Sequence, residues 1–312
     1  MELGLGLYRF RENADKLIEV FLRQGGKILD AAPNYSNGEA LALISGNQQA
    51  KQNSGNLRVW SKVGFPRCSA TLSRRISSGI IAKSELVENH ALSPRLIRCQ
   101  LNEIRDALGN INLDAMYLHN PERQLLRLSR KEFWILMADC VREIEQACVD
   151  GLIRHWGISV WNGFDVERGG AKSFSLSEWE SLVRNTVGDS HHFRLVQMPL
   201  SLSRIGTIAD FVQNGSGVIK EAVTFGKILV ASSPMHGGAL PPVLNREFTE
   251  VFGREVSPGQ ACLLFLGSIP AISACLISPS DSGQLIDSLA ATEIPPLSRE
   301  ALCRLTALLI ES

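Results

Sequence analysis

Four residues of this 312-residue chain are of the types that move protons, and each stands at or just beyond the end of an apolar, strand-like run. Asp30 falls late in "KILDA", and Tyr35 follows five positions later, past a Pro–Asn pair. Lys62 lies near the end of "LRVWSKV", and His119 ends "NLDAMYLH". A carboxylate that leaves an apolar run is costly to bury unless it is paired. A phenol, with an ordinary pKa of about 10, holds its proton near neutrality. An ammonium beside it stabilises the phenolate and eases release of that proton. An imidazole can give or take a proton near neutrality. Singly, each residue has a bland explanation: the Asp as a turn or cap residue, the Lys as a solvent-facing side chain, the His as hydrogen-bonded structure. Their shared setting favours acid–base chemistry.

The elements that must position them recur along the whole chain. Eight runs rich in Val, Ile and Leu read as strands: 3–7, 27–31, 57–63, 112–119, 152–159, 193–198, 227–232 and 272–277. Between them lie helical patterns. Residues 94–109 place Ile97, Leu101, Ile104 and Leu108 on one face, behind a Ser93 cap and Pro94. Residues 132–151 do the same with Phe133, Met137, Cys140, Ile144 and Cys148, and stop at Gly151. "SEWE" (177–180) and "SPGQ" (257–260) read as capping boxes. Strand–helix alternation implies a parallel sheet, and eight repeats suit a closed (β/α)8 TIM barrel. An open doubly wound sheet is the alternative, but "GLGLYR" has arginine where a third dinucleotide-binding glycine would stand, and "GSGVIK" is no better. No linker divides the chain, so the expectation is a single domain over 1–312. In a barrel, chemistry gathers at the C-terminal strand ends, where Asp30, Lys62 and His119 fall. Alternation puts His119 on one face with Leu113, Ala115 and Tyr117. The polar stretch 64–93 has the length of a functional lid.

Composition narrows the partners. Thirty-two basic residues balance thirty-two acidic ones, which gives no electrostatic case for nucleic acid or an anionic membrane. The run 261–277 is broken by Gly267, Ser268 and Pro270 and is too short to span a membrane. Seven scattered cysteines without a CxxC pair fit a reducing compartment rather than a disulfide framework or a zinc site. A soluble cytoplasmic protein is expected, with no metal.

With their order and strand context, "LDAAPNY", "VWSKVGF" and "MYLHNPE" resemble the Asp–Tyr–Lys–His tetrad of the aldo-keto reductases. "GIS" (157–159), "VQMPLSL" (196–202) and "SSPMHGGAL" (232–240) extend the resemblance to nearly the whole chain. It implies an NAD(P)H-dependent oxidoreductase that reduces a small-molecule carbonyl or oxidises an alcohol. Tyr35 would donate the proton, Lys62 would make its release easier, Asp30 would keep Lys62 charged, and His119 would hold the carbonyl. His191, His192 and His236 are left as loop residues. Tyr8, Trp60 and Trp161 are candidate walls of the substrate pocket, with barrel packing as the equal alternative.

For the cofactor the resemblance implies Ser159 with an asparagine beside it, but Val160 follows and Asn162 comes two positions late. Gln197 remains as the other partner of the nicotinamide carboxamide. Ser232 stands where many members stack an aromatic ring, and Ser232, Ser233, Gly237 and Gly238 are placed to cradle the pyrophosphate. Ser280, Gln284 and Asp287 lie in the region that usually binds the adenosine 2′-phosphate, yet no Lys or Arg occurs from Glu255 to Ser298. A phosphate there would lack the charge-assisted bidentate contact of a strong site. NADPH preference should therefore be weak, with NADH and NADPH binding within about tenfold of each other, or about 1.4 kcal/mol. Two other functions compete: a non-redox lyase, epimerase or cyclase using the same acid–base groups, and a cofactor-binding regulatory subunit.

Overall fold

The computed structural model of the chain describes residues 1–9, 13–244, 252 and 255–311. Eight strands close into a parallel barrel in chain order, the expected architecture. They are β1 (Glu2–Gly6), β2 (Ile28–Asp30), β3 (Arg58–Val63), β4 (Leu113–His119), β5 (His155–Ser159), β6 (Phe193–Pro199), β7 (Ile228–Ser232) and β8 (Ile272–Ile277). Each falls within or beside one of the eight apolar runs. Such runs are what a strand covered on both faces requires. The chain divides into two compact units, one of Leu5–Leu195 and the other of Met1–Gly4 with Val196–Ser312.

In the first unit, β2, β3, β4 and β5 pair in parallel register. Asp30 is opposite Trp60, Lys62 opposite Tyr117 and His119 opposite Ser159, so the titratable residues share one end of the strands. The β3–β4 register slips by one residue at Val59/Trp60, where the skipped Asp114 accepts the Trp60 indole N–H at 3.0 Å. Helix Pro94–Leu108 begins at the expected Ser93 cap, and helix Arg130–Val149 begins at a capping box of Ser129 and Glu132. A correction applies to helix Leu176–Val187: its capping box is Ser175–Glu178, two residues before the one expected. Glu180 is instead buried and committed to Arg184 and His191.

In the second unit, β7 and β8 pair in parallel, and helix Pro258–Gly267 starts at the expected Ser257–Gln260 box. Four of the seven free cysteines are buried and Cys68 is exposed. No helix among the described residues is long and apolar enough to cross a membrane. The 64–93 stretch is folded rather than open. It holds helix Ser69–Ser77, a turn at Lys83–Glu85 and a bridge between Val87 and His90. Its base is closed by Ala91 N–H donating to the Gly64 carbonyl at 3.0 Å.

Candidate active site

The ends of β2, β3 and β4 bring Asp30, Lys62 and His119 into one buried group. The Lys62 side chain has no exposure to solvent, a state a lysine tolerates only when neutral or paired. It is paired: Nζ makes a short ion pair with Asp30 and lies 3.5 Å from the Ala31 carbonyl. Burial lowers the Lys62 pKa, while the Asp30 carboxylate pulls it back up. The ammonium also faces the Tyr35 ring, 4.7 Å from its centroid.

Tyr35 is half-buried and held by an unusual turn. Its own N–H reaches the Ala32 carbonyl at 3.0 Å. The next two residues, Ser36 (φ 48°) and Asn37 (φ 55°), both adopt the left-handed region, a sparsely populated state that clusters at functional sites. Ser36 pins the turn to the exit of β1: its N–H donates to the Tyr8 carbonyl at 3.2 Å and its hydroxyl to the Leu7 carbonyl at 2.9 Å. The Tyr8 and Tyr35 rings meet edge-on at 5.0 Å, and Tyr8 is 52% exposed.

Burial, then the Asp30 carboxylate and Tyr8, push the Tyr35 phenol well above its ordinary pKa. The nearby Lys62 ammonium, 4.7 Å from the Tyr35 ring, acts in the opposite sense to these influences. With its pKa raised from an ordinary value already near 10, Tyr35 keeps its proton throughout the neutral range.

His119 lies edge-on to Tyr35, with ring centroids 5.9 Å apart, and edge-on to Phe65 at 4.9 Å. Burial first, then Lys62, His90 and Arg123, hold its pKa well below the ordinary histidine value. It is a neutral imidazole, fit to hydrogen-bond an oxygen rather than to repel Lys62. The chain leaves it through Asn120, left-handed at φ 48°, whose N–H donates to the Ser159 carbonyl at 2.6 Å.

Four supporting residues carried no sequence signal of their role. His90, wholly buried, donates from Nε2 to the His119 carbonyl at 2.7 Å, while Gln124 Nε2 donates to His90 Nδ1 at 3.0 Å and so fixes the tautomer. A side chain at Gly64 would put Cβ 2.8 Å from His90 Nε2, so only glycine permits this approach. Gln100 accepts the Gly64 N–H at 2.9 Å and donates to the Phe65 carbonyl at 2.7 Å. Glu122 was within reach of a sequence reading, since it closes "MYLHNPE". Buried, it accepts the Trp161 N–H at 2.8 Å and the Asn162 N–H at 3.4 Å, and burial raises its pKa.

Of the three aromatic candidates, Tyr8 and Trp161 (49% exposed) reach the surface, whereas Trp60 is core, closed off by Asp114 and by an edge contact to Tyr117 at 6.2 Å. Packing explains Trp60. His191 and His192 remain loop residues just before β6, committed to Glu180 and Glu145.

Of the cofactor candidates, Ser159 and Asn162 lie in the first unit: Ser159 is buried at the end of β5, and Asn162 follows on the Glu122 tether. In the second unit Gln197 is buried in β6. After β7, Ser233 (φ 51°), His236 (φ 51°), Gly237 (φ 67°) and Gly238 (φ 91°) are all left-handed, and nothing lies within 4 Å of where a Cβ would stand at either glycine. Past β8, Gln284 accepts the Ser280 N–H at 2.9 Å, and the Asp281 carboxylate accepts the Gln284 N–H at 2.9 Å. Asp287 accepts the Ser257 hydroxyl at 2.7 Å. These three polar groups are thus engaged in holding helix ends.

Residues 2–310 match the family model described as the aldo/keto reductase family. Among solved structures, the chain is similar to the thermostable aldo-keto reductase Tm1743 in complex with the inhibitor epalrestat. The TM-score is 0.67 at 18% identity, over 98% of this chain and 94% of that one. It is also similar to the holo form of aldo-keto reductase AKR11C1 from Bacillus halodurans, with a TM-score of 0.68 at 16% identity, over 99% and 91% of the two chains. At such identities the structural likeness speaks for the fold alone. No match was found among curated proteins.

Proposed function

This chain belongs to the aldo/keto reductase family, and from that premise we propose that it is a nicotinamide-dependent oxidoreductase interconverting a carbonyl and an alcohol. The observation that carries the reading is the gathering of Tyr35, the Lys62–Asp30 pair and a neutral His119 at one end of the strands. When bound, the nicotinamide supplies the hydride. The remaining tasks fall to the chain. The His119 imidazole orients the carbonyl oxygen and stabilises charge growing on it. The Tyr35 phenol, kept protonated by burial, delivers the proton. The Lys62 ammonium, 4.7 Å from the Tyr35 ring, stabilises the phenolate left behind, and Asp30 keeps that ammonium in place.

The second unit's residues fit a dinucleotide in part. The left-handed residues after β7 leave open space at both glycines, which would let a pyrophosphate approach the backbone closely, although the His236 and Gly238 N–H groups already donate to the Ser233 and Met235 carbonyls. The region past β8 does not suit a 2′-phosphate. Its helix N-terminus is already capped by the Asp281 carboxylate, Gln284 occupies the Ser280 N–H, and no Lys or Arg occurs from Glu255 to Ser298. NADH should therefore bind at least as tightly as NADPH.

Replacing Tyr35 by Phe tests the chemistry. Turnover of an aldehyde should fall by about 10²–10⁴-fold, the usual worth of a positioned proton donor, with NADH affinity unchanged. Undiminished turnover would contradict the assignment.

A further inference from the structure

The rim beside Tyr35 carries two arginines that the proton-transfer machinery does not use. The segment after β3 runs from one catalytic candidate to the other. At Gly64 it abuts His119, where a Cβ would stand 3.1 Å from the His119 carbonyl, and the Phe65 ring lies 4.9 Å from the imidazole. At Arg67 it abuts the Tyr35 turn: a Cβ on Gly38, three residues past Tyr35, would stand 2.5 Å from Arg67 Cγ and 3.2 Å from the Arg67 carbonyl. Arg9 approaches from the β1 exit. Its guanidinium lies 5.0 Å over the Tyr8 ring, which itself meets the Tyr35 ring at 5.0 Å.

Other cations near the site are neutralised: Lys62 by Asp30, and Arg123, which covers Phe65, by Glu88. Among the described residues, Arg9 and Arg67 make no ion pair, and both are exposed. Glu39, next to Gly38, is the one acid on the Tyr35 turn, and it too is exposed. A guanidinium presents a planar fork of donors matched to carboxylate and phosphate, and one stacked on a ring is already ordered for the task.

We propose that the carbonyl substrate carries a carboxylate or phosphate, held at this rim by Arg67 and Arg9 while its carbonyl reaches Tyr35 and His119. The inference rests on the oxidoreductase reading. Because the guanidiniums are exposed, the selectivity should weaken as salt shortens the screening length from about 8 Å at physiological ionic strength towards about 3 Å at 1 M.

The experiment compares 4-carboxybenzaldehyde with its neutral methyl ester as substrates of the full chain with NADH. The acid should show a KM about tenfold below that of the ester with a similar kcat, the size of one charge-assisted contact. The Arg9→Gln/Arg67→Gln double variant should raise KM for the acid alone, and 0.5 M NaCl should do so in part. Equal KM values for the two aldehydes, or a ratio unchanged in the double variant, would overturn the proposal. Absence of turnover with both aldehydes would count against the oxidoreductase reading instead. Calorimetric binding of 4-(hydroxymethyl)benzoate against its methyl ester would then decide the anion site: tighter binding of the acid, lost in the double variant, upholds it, and equal binding removes it.

Discussion

Lys62 has the fewest alternatives of any residue in the site. A fully buried lysine meets its counter-charge directly or gives up its proton, and Asp30 is that counter-charge. Removing either partner alone leaves the other buried and unpaired, so Lys62→Met and Asp30→Asn should each cost about 3–5 kcal/mol of stability by denaturant titration. The double substitution should cost less than the sum, and additive losses would contradict the pairing. The pH profile follows from the same groups. His119 is neutral well above its depressed pKa, so kcat for reduction should show no inflection at the ordinary histidine value. The lowered Lys62 pKa instead places an alkaline limb below the ordinary lysine range. Asp30, Lys62 and His119 could be singled out because each falls at or near the end of an apolar run, where a charge or an imidazole is conspicuous, and Tyr35 because it follows the first of them closely. His90 could not be. A histidine in a polar stretch looks like any other until folding sets its Nε2 2.7 Å from the His119 carbonyl.

At the scale of elements, strands were legible and the segments leaving them were not. "LRVWSKV" and "NLDAMYLH" had to be buried strands, because nothing else covers so many apolar side chains. The turns that aim Tyr35 and His119 depend on left-handed Ser36, Asn37 and Asn120, residue types that also occur in ordinary loops. The capping box at 175–178 shows the same limit. "SFSLSEWE" contains two overlapping boxes, and the tertiary demand of Arg184 and His191 for Glu180 decides between them. The folded 64–93 stretch acts as a buttress: through His90 and Gly64 it fixes the end of β4. Gly64→Ala would force a Cβ to within 2.8 Å of His90 at a φ of 140°. It should destabilise the chain by about 1–3 kcal/mol. His90→Ala should lower kcat by about tenfold or more while leaving NADH affinity intact, since a small displacement of a catalytic group is costly. A His90→Ala variant with native kcat would show that the buttress does not position His119.

For the whole molecule, balanced charge leaves little net field, so its response to pH is set by buried groups. His90 is held to a pKa of about 3, against an ordinary histidine value of 6.5, chiefly by burial. The unfolded chain therefore binds more protons than the folded one between these values, and stability should fall as pH drops from 6.5 towards 3. His90→Gln should flatten that slope between pH 5 and 6.5, before most carboxylates titrate; an unchanged slope would assign the acid sensitivity elsewhere. The central claim, a dinucleotide-dependent oxidoreductase without a 2′-phosphate clamp, is tested most directly by titrating the protein with NADH and with NADPH and following nicotinamide fluorescence. Micromolar binding of NADH, at least as tight as that of NADPH, is the predicted result. Absence of binding for either up to millimolar concentration would contradict the oxidoreductase assignment, and an NADPH preference of a hundredfold would contradict the missing clamp.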